Sequence, residues 1–547
     1  MTSRRPDAPR ARLLHGARLL RPQPAPPTAD AVAVIDDRIV AVGPRAECAA
    51  ALPTDHDAVD LGGRVLAPGF VDAHLHPMIM CVFEQQLRFD DCTSLGEVLE
   101  LVADRARDTE GDRAVVGFQL DDARLDERRL PTAAELDRAT GGHPVVLIRR
   151  DGHHAVGSTS ALTAAGLDDP GSDPPGGRVE RDATGRPTGL VRETAVSPLL
   201  ALLPEVTLDD LQAGLASWVD RLLRQGITAI SAMCQTTDEG PSGPAGALEA
   251  LGWSVLVDQV PFDVQTILIA PDPTTIDEVR ATSPLHDPAA RRRVDGVKLF
   301  LDGTLGGCTA CMHAPFADRP GTSGMRTMDD DDAYDRMVAA HLGGHQVCIH
   351  AIGDDATAAA TALFARLLAE HPGDHRHRIE HASVLDPATI DLLADLGITT
   401  VVQPINLRSE RHWLAERLGP DRLGRTYPFR SLLDAGVTVA GSSDAPIEHT
   451  DVLAAMAAAV DRGGLSDDQA VTPEEALEMY TIAGSWARRT EDDLGAILPG
   501  RRADLVVLSD DPTTTTAAVE VLATVIGGVD RHPDDGLATI GRRPAHP

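Results

Sequence analysis

The sequence predicts an α/β fold built on a (β/α)8 TIM barrel, and three observations carry that prediction. Eight β-type runs can be counted, at residues 65–74, 227–232, 253–259, 297–301, 347–351, 378–382, 399–403 and 437–441. Most are followed by helix-patterned stretches such as 355–370, an alternation that implies a parallel sheet closed by outer helices. His350 and His381, in the fifth and sixth runs, lie 31 positions apart (381 − 350), the length of one strand–helix–strand step.

Before the barrel, residues 1–67 hold short β-type runs at 31–35 and 38–42 between Pro-rich and Asp-rich breaks. The pattern returns at 503–508 and 521–526. Chain ends often lie close together, so 1–67 and 495–547 are expected to form one composite β-sandwich domain. The barrel is assigned to 68–76 and 206–494. Its first and second runs are separated by more than 150 residues, which predicts an insertion subdomain at 77–205 over the active site. That insertion has β-type runs at 114–120 and 144–150 and a Gly/Pro/Asp-rich loop at 168–178; a helix at 208–224 resumes the barrel.

At 547 residues the chain exceeds the size of a single hydrophobic core. Aromatics make up only 3%, so the core is mostly Ala, Val and Leu. Fifty Lys and Arg against 83 Asp and Glu give a net charge of −33, which repels phosphate backbones and anionic lipid surfaces. Nucleic acid and membranes are therefore not expected partners. Arg4, Arg5, Arg10 and Arg12 precede no apolar stretch that would act as a secretion signal, and no run reaches spanning length. Seven cysteines, an odd number, suit a reducing cytoplasm, where the protein is expected to reside. Cys308 and Cys311 form a lone CxxC, read as chance rather than structural zinc. A homo-oligomer is left open.

The chemistry starts at Gly69-Phe70-Val71-Asp72-Ala73-His74-Leu75-His76. On an extended strand residues i and i+2 face the same way, so His74 and His76 can reach one metal. With 20 His in the chain, roughly one HxH is expected by chance, and a second stands at His375 and His377. Context separates them: His74 and His76 end an apolar strand, whereas His375 and His377 lie in a polar approach and are read as solvated. Lys298, His350, His381 and Asp444 also sit near strand ends. Catalytic groups in a barrel come from the ends of different strands, so their joint placement points to one site.

The runs VLAPGFVDAHLHP, GVKLFLDGTLG, VCIHAIGDDA, RIEHAS, VVQPINL, AGSSDAPIE and GAILPGRRADLVVL, in that order, resemble the amidohydrolase superfamily, in its YtcJ-like branch related to N-substituted formamide deformylase. The insertion's DGHHAVGSTSAL is similar to that branch's Asp-Gly-His motif. The resemblance implies that His74 and His76 bind one divalent metal and His350 and His381 a second, with Lys298 bridging them as a carbamate. Zinc is the expected metal, one or two ions, although such ligands also accept iron, manganese or nickel. Asp444 is implied as the catalytic carboxylate that moves protons while a metal-activated hydroxide attacks a C–N bond. Asp151, His153 and Asp302 are assigned to substrate binding; Asp302 and Asp354 also sit where a carboxylate would orient a ligand, and Asp354 is read rather as beginning a loop or capping a helix. The substrate is a small molecule holding an amide, formamide or cyclic amide. Residues 117–122 match the branch only loosely, and Cys308 and Cys311 stand where it more often carries Arg and aliphatic residues. Deamination or ester hydrolysis on the same barrel, and a metal-free binding or regulatory homologue, are the alternatives.

Overall fold

The computed structural model describes residues 10–540 apart from 21–28, 85, 90–91, 110, 112, 123, 151, 153, 172, 175–176, 204–205, 239, 241, 243–245, 271, 516–517 and 535. It divides into two compact units, residues 1–78 with 219–547, and residues 79–218.

In the first unit eight parallel strands follow one another in chain order: β1 (Phe70–Leu75), β2 (Ile227–Gln235), β3 (Asp263–Ile269), β4 (Arg292–Phe300), β5 (Gln346–Ala351), β6 (Arg378–His381), β7 (Thr399–Val402) and β8 (Val439–Gly441). β1 meets the end of β8 through hydrogen bonds. The Asp444 N–H donates to the His74 carbonyl and the His76 N–H to that of Ala445, each at 2.8 Å. Every residue of β2 and β3 is buried, as a sheet covered on both faces requires.

Two strand expectations need correction. Residues 253–259 are not the third strand: they fall in the helix Glu249–Leu256 and a short 3-10 turn, and β3 comes later. The run Leu-Gly-Trp-Ser-Val-Leu-Val is apolar almost throughout, so its period does not separate helix from strand. Trp253 and Leu256 point inward, whereas Leu251 and Val255 are exposed, a helical division of faces. The first run, 65–74, is two strands. Val65–Pro68 leaves the barrel to pair with Leu505–Leu508, and the break comes at Gly69, where a Cβ would lie 2.3 Å from the Thr228 side chain.

The chain ends share a β-sandwich. One sheet orders Arg38–Gly43, Ala31–Ile35, Ala11–His15 and Asp57–Asp60; the other orders Arg18–Leu19, Val65–Pro68, Leu505–Leu508, Val521–Ile526 and Val529–Asp530. Val32, Val34 and Ile39 of the first pack with Leu66, Leu505, Val507 and Val525 of the second in one core.

At the amino-terminal end of the barrel strands, Asp263 at the start of β3 anchors three cations. Arg488 donates to its Oδ1 at 2.7 Å, Arg293 to the same oxygen at 3.1 Å, and Arg502 to Oδ2 at 3.2 Å. Burial alone would raise this carboxyl, but Arg488 and its neighbours prevail and hold it below the usual range.

The second unit carries its own six-stranded mixed sheet, ordered Gly177–Arg181, Pro187–Glu193, His154–Gly157, Val145–Arg149, Val115–Leu120 and Leu87–Arg88. The expected helix forms over Leu208–Arg224. Among the described residues no helix is long and apolar enough to cross a membrane.

Candidate metal centre

Asp72 and His74 alternate on the inner face of β1, and His76 continues that spacing one residue past its end. His74 is fully buried, while 11% of the His76 side chain and 16% of that of Asp444 are exposed. The Asp444 Oδ1 lies 3.4 Å from His74 Nε2 and 3.2 Å from His76 Nε2. Among the described residues, His74, His76 and Asp444 are the one group of three whose ligand atoms all lie within 4.8 Å of one another.

The ring protons follow from the partners. A carboxylate only accepts, so His74 Nδ1 donates to Glu380 Oε2 at 2.6 Å and its Nε2 carries a lone pair. That buried Nε2 has no hydrogen-bond partner, and neither has His76 Nδ1. A lone pair facing a carboxylate oxygen at 3.4 Å is repulsive unless a cation lies between them. The donor set, imidazole nitrogens and a carboxylate, thus fits a divalent metal.

β6 supplies its residues by a local break in strand geometry. Glu380 reaches His74 through the barrel interior, so simple alternation would send His381 outward. Instead His381 and Ala382 adopt left-handed φ values of 74° and 44°. The His381 ring is turned back to 4.4 Å from that of His350 and 5.2 Å from that of His74. Asp444 also has a positive φ, 57°, and such conformations in non-glycine residues concentrate at functional sites. His381 Nδ1 donates to Gln403 Oε1 at 2.9 Å, whose amide in turn donates to Ser442 Oγ. His350 Nε2 donates to the Gly303 carbonyl at 3.1 Å.

Lys298 is 2% exposed, with its Nζ 5.0 Å from the Phe300 ring centre. Burial, opposed by Glu380 and Asp444, pushes it down to about 8. Burial lowers His381 to about 3 and takes His74 and His350 well below the usual imidazole range, leaving all three neutral. For Asp444, burial would raise the carboxyl, but the ring dipoles of His74 and its neighbours, together with a hydrogen bond from His76, outweigh it and hold the group low.

Asp302 is placed differently from a substrate contact. It is 2% exposed; its Oδ2 accepts from the N–H of Cys311 at 2.9 Å and of Gly353 at 2.8 Å, and its Oδ1 from Ile352 at 3.1 Å, with His350 Nε2 at 3.4 Å. It ties the loop after β4 to the end of β5. Asp354 neither begins a loop nor caps a helix: it is the first residue of the helix Asp354–Glu370, whose cap position is Gly353, and its carboxylate accepts from the His313 N–H at 2.9 Å. Asp151 and His153 lie outside the described residues. His377 is not solvated: it is fully buried beneath β5, accepting from the Val347 N–H at 3.0 Å. The Cys311 thiol donates to Asp355, and all seven cysteines are free.

Four contributors were missed. Asp72 accepts from the N–H groups of His74 and Ser443, each at 3.1 Å, and burial raises it to about 6. Its spacing from His74 was the available signal. Glu380, Arg378 and Gln403 gave a similar one, polar residues two apart or at the tip of apolar strands, facing into the barrel.

Comparison with known proteins decides the family: residues 57–530 match the model described as the amidohydrolase family. The chain belongs to the amidohydrolase family. A short stretch of this amidohydrolase, 31–54, also matches a bacterial imidazolonepropionase-like composite domain. The chain is 30% identical to the putative amidohydrolase YtcJ of Bacillus subtilis (strain 168), over 86% of this chain and 90% of that one. Identity to the N-substituted formamide deformylase of Arthrobacter pascens is 27%, over 93% of this chain and 96% of that one. An uncharacterized metal-dependent hydrolase from Pyrococcus horikoshii OT3 superposes with a TM-score of 0.72 at 25% identity, covering 95% of this chain and all of that one. The amidohydrolase is thus a hydrolase in a family that fits a divalent metal and a small-molecule substrate.

Proposed function

We propose that this amidohydrolase cleaves a carbon–nitrogen bond in an amide, formamide or cyclic amide. The observation that carries the reading is the convergence of His74, His76 and Asp444 around a point where the His74 Nε2 lone pair, without a hydrogen-bond partner, faces a carboxylate oxygen 3.4 Å away. Likeness to a deformylase of N-substituted formamides over most of both chains supports the bond class.

His74 and His76 would hold one cation, and His350 and His381, neutral and close together, a second. When bound, a divalent cation supplies Lewis-acid polarisation of a carbonyl and eases ionisation of water; zinc is the one we name for this imidazole-rich set. Asp444 orients the attacking water, accepts its proton and delivers it to the leaving nitrogen. Asp72, through the Ser443 N–H, and the His74 carbonyl, through the Asp444 N–H, fix the turn that presents this carboxylate. We also assign a carbamate to Lys298: its neutral amine adds to carbon dioxide, forms a nitrogen–carbon bond and releases one proton. Burial, which favours the neutral amine, supports this.

The test is a screen of N-formyl and N-acyl amines against zinc-loaded wild type and Asp444→Asn, with products identified. Amine plus carboxylic acid, formed by wild type and not by the variant, is the expected result. Ammonia as the sole nitrogen product, or ester cleavage alone, would replace the reading with the alternatives.

A further inference from the structure

A buried ion pair beneath His74 is left unused by the reaction above. Arg378 and Glu380, two apart on β6, face the barrel interior and are completely shielded from solvent. Arg378 Nε donates to Glu380 Oε1, and Arg378 Nη2 donates both to Glu380 Oε2 at 3.3 Å and to the Ala73 carbonyl at 2.8 Å. Glu380 Oε2 then accepts from His74 Nδ1. Arginine has no lone pair to offer and keeps its protons, so every Arg378 contact in this line is a donated one.

We propose that Arg378 and Glu380 are a positioning pair that dictates which ring nitrogen of His74 carries the proton, and so keeps Nε2 free for a divalent cation. This rests on the reading that His74 is a metal ligand. Because the guanidinium only donates, the side chain at position 380 must turn an acceptor toward it. A carboxylate has a second acceptor left for His74 Nδ1. An amide does not: Glu380→Gln would give its oxygen to Arg378 and turn its NH2 toward His74. The imidazole proton would then move from Nδ1 to Nε2, where it blocks ligation. The near-isosteric substitution is therefore expected to act through a single proton.

The logic predicts a rescue. In Arg378→Met/Glu380→Gln no guanidinium claims the amide oxygen, so the amide can rotate and accept from Nδ1–H, restoring the ligating tautomer. Removing both charges of a buried pair together is also far better tolerated by a fold than removing one. Simple loosening of the site makes the opposite prediction, because the double variant deletes more contacts than the single one.

The experiment loads wild type, Glu380→Gln and the double variant with Co2+, measures retention against a chromogenic chelator, records the visible Co2+ absorption, and follows folding by circular dichroism. We expect Glu380→Gln to fold and bind Co2+ about 10- to 100-fold more weakly than wild type, and the double variant to recover most of that loss with a wild-type-like spectrum. If Glu380→Gln does not fold, the double variant decides: near-wild-type affinity supports the pair, and a loss above about 10-fold overturns it. Equal affinity in wild type and Glu380→Gln, or a double variant no better than the single, also overturns it. Wild type that binds no Co2+ at all refutes the metal reading itself, a result separate from these.

Discussion

Asp302 offers a direct contest between the expectation from sequence and the role its geometry supports. As a substrate contact, Asp302→Ala would raise KM and leave the fold alone. The carboxylate instead accepts three backbone N–H groups, from Cys311, Ile352 and Gly353, in a site that is 2% exposed. Each buried donor left unpaired costs about 1–3 kcal/mol. Three would cost roughly 3–9 kcal/mol, and relaxation of the loop after β4 with entry of water brings the expected loss to about 3–5 kcal/mol. Asp302→Asn keeps one acceptor for Cys311 and Gly353 but turns an NH2 toward the Ile352 N–H and His350 Nε2–H, so it should lose about 1–3 kcal/mol. Denaturant unfolding followed by tryptophan fluorescence should rank wild type above Asn above Ala. Identical unfolding midpoints for Asp302→Ala and wild type, with only KM changed, would refute the argument.

Further outcomes follow from other sites. Asp263→Asn, which breaks the anchor of Arg488, Arg293 and Arg502, should destabilise by about 3–5 kcal/mol at pH 7. Since the folded carboxyl lies below its unfolded value of 3.8, its contribution is complete above that value and fades as pH falls through the folded one. The urea midpoints of variant and wild type should therefore converge below about pH 4. Asp444→Asn, at a backbone angle asparagine tolerates, should retain the wild-type melting temperature while turnover falls about 10²- to 10⁴-fold; turnover within a factor of two would remove Asp444 from the reaction. Gly69→Ala drives a Cβ to within 2.3 Å of the Thr228 side chain and should lower stability by about 1–3 kcal/mol, recovered in part by Thr228→Ala.

The barrel was legible because its strands are short apolar runs that end in chemistry: Lys298, His350 and His381 announce three of them, and the 31-residue step between the last two sets the period. β3 escaped notice because Asp263–Ile269 is buried on both faces and ends in no reactive residue, while the neighbouring helix is equally apolar. That His74 and His76 share one face could be read from strand alternation. At His381 alternation misleads, and only the left-handed backbone explains how it and Glu380 both face inward. Arg378 and Glu380 were passed over because charged side chains inside a barrel contradict the expectation that charges lie at the surface; their pairing across to β1 depends on tertiary contacts no local pattern encodes. His377 was misjudged for the related reason that its polar sequence neighbours are not its spatial ones.

Elemental analysis bears most directly on the cation that His74 and His76 are held to bind. Purified wild type and His74→Ala/His76→Ala, each loaded with zinc and passed through a desalting column, would be compared for bound metal per chain. We expect one or two equivalents in wild type and at least one fewer in the double variant, with circular dichroism unchanged. A wild type that emerges without metal, or a variant that keeps as much as wild type, would contradict the account.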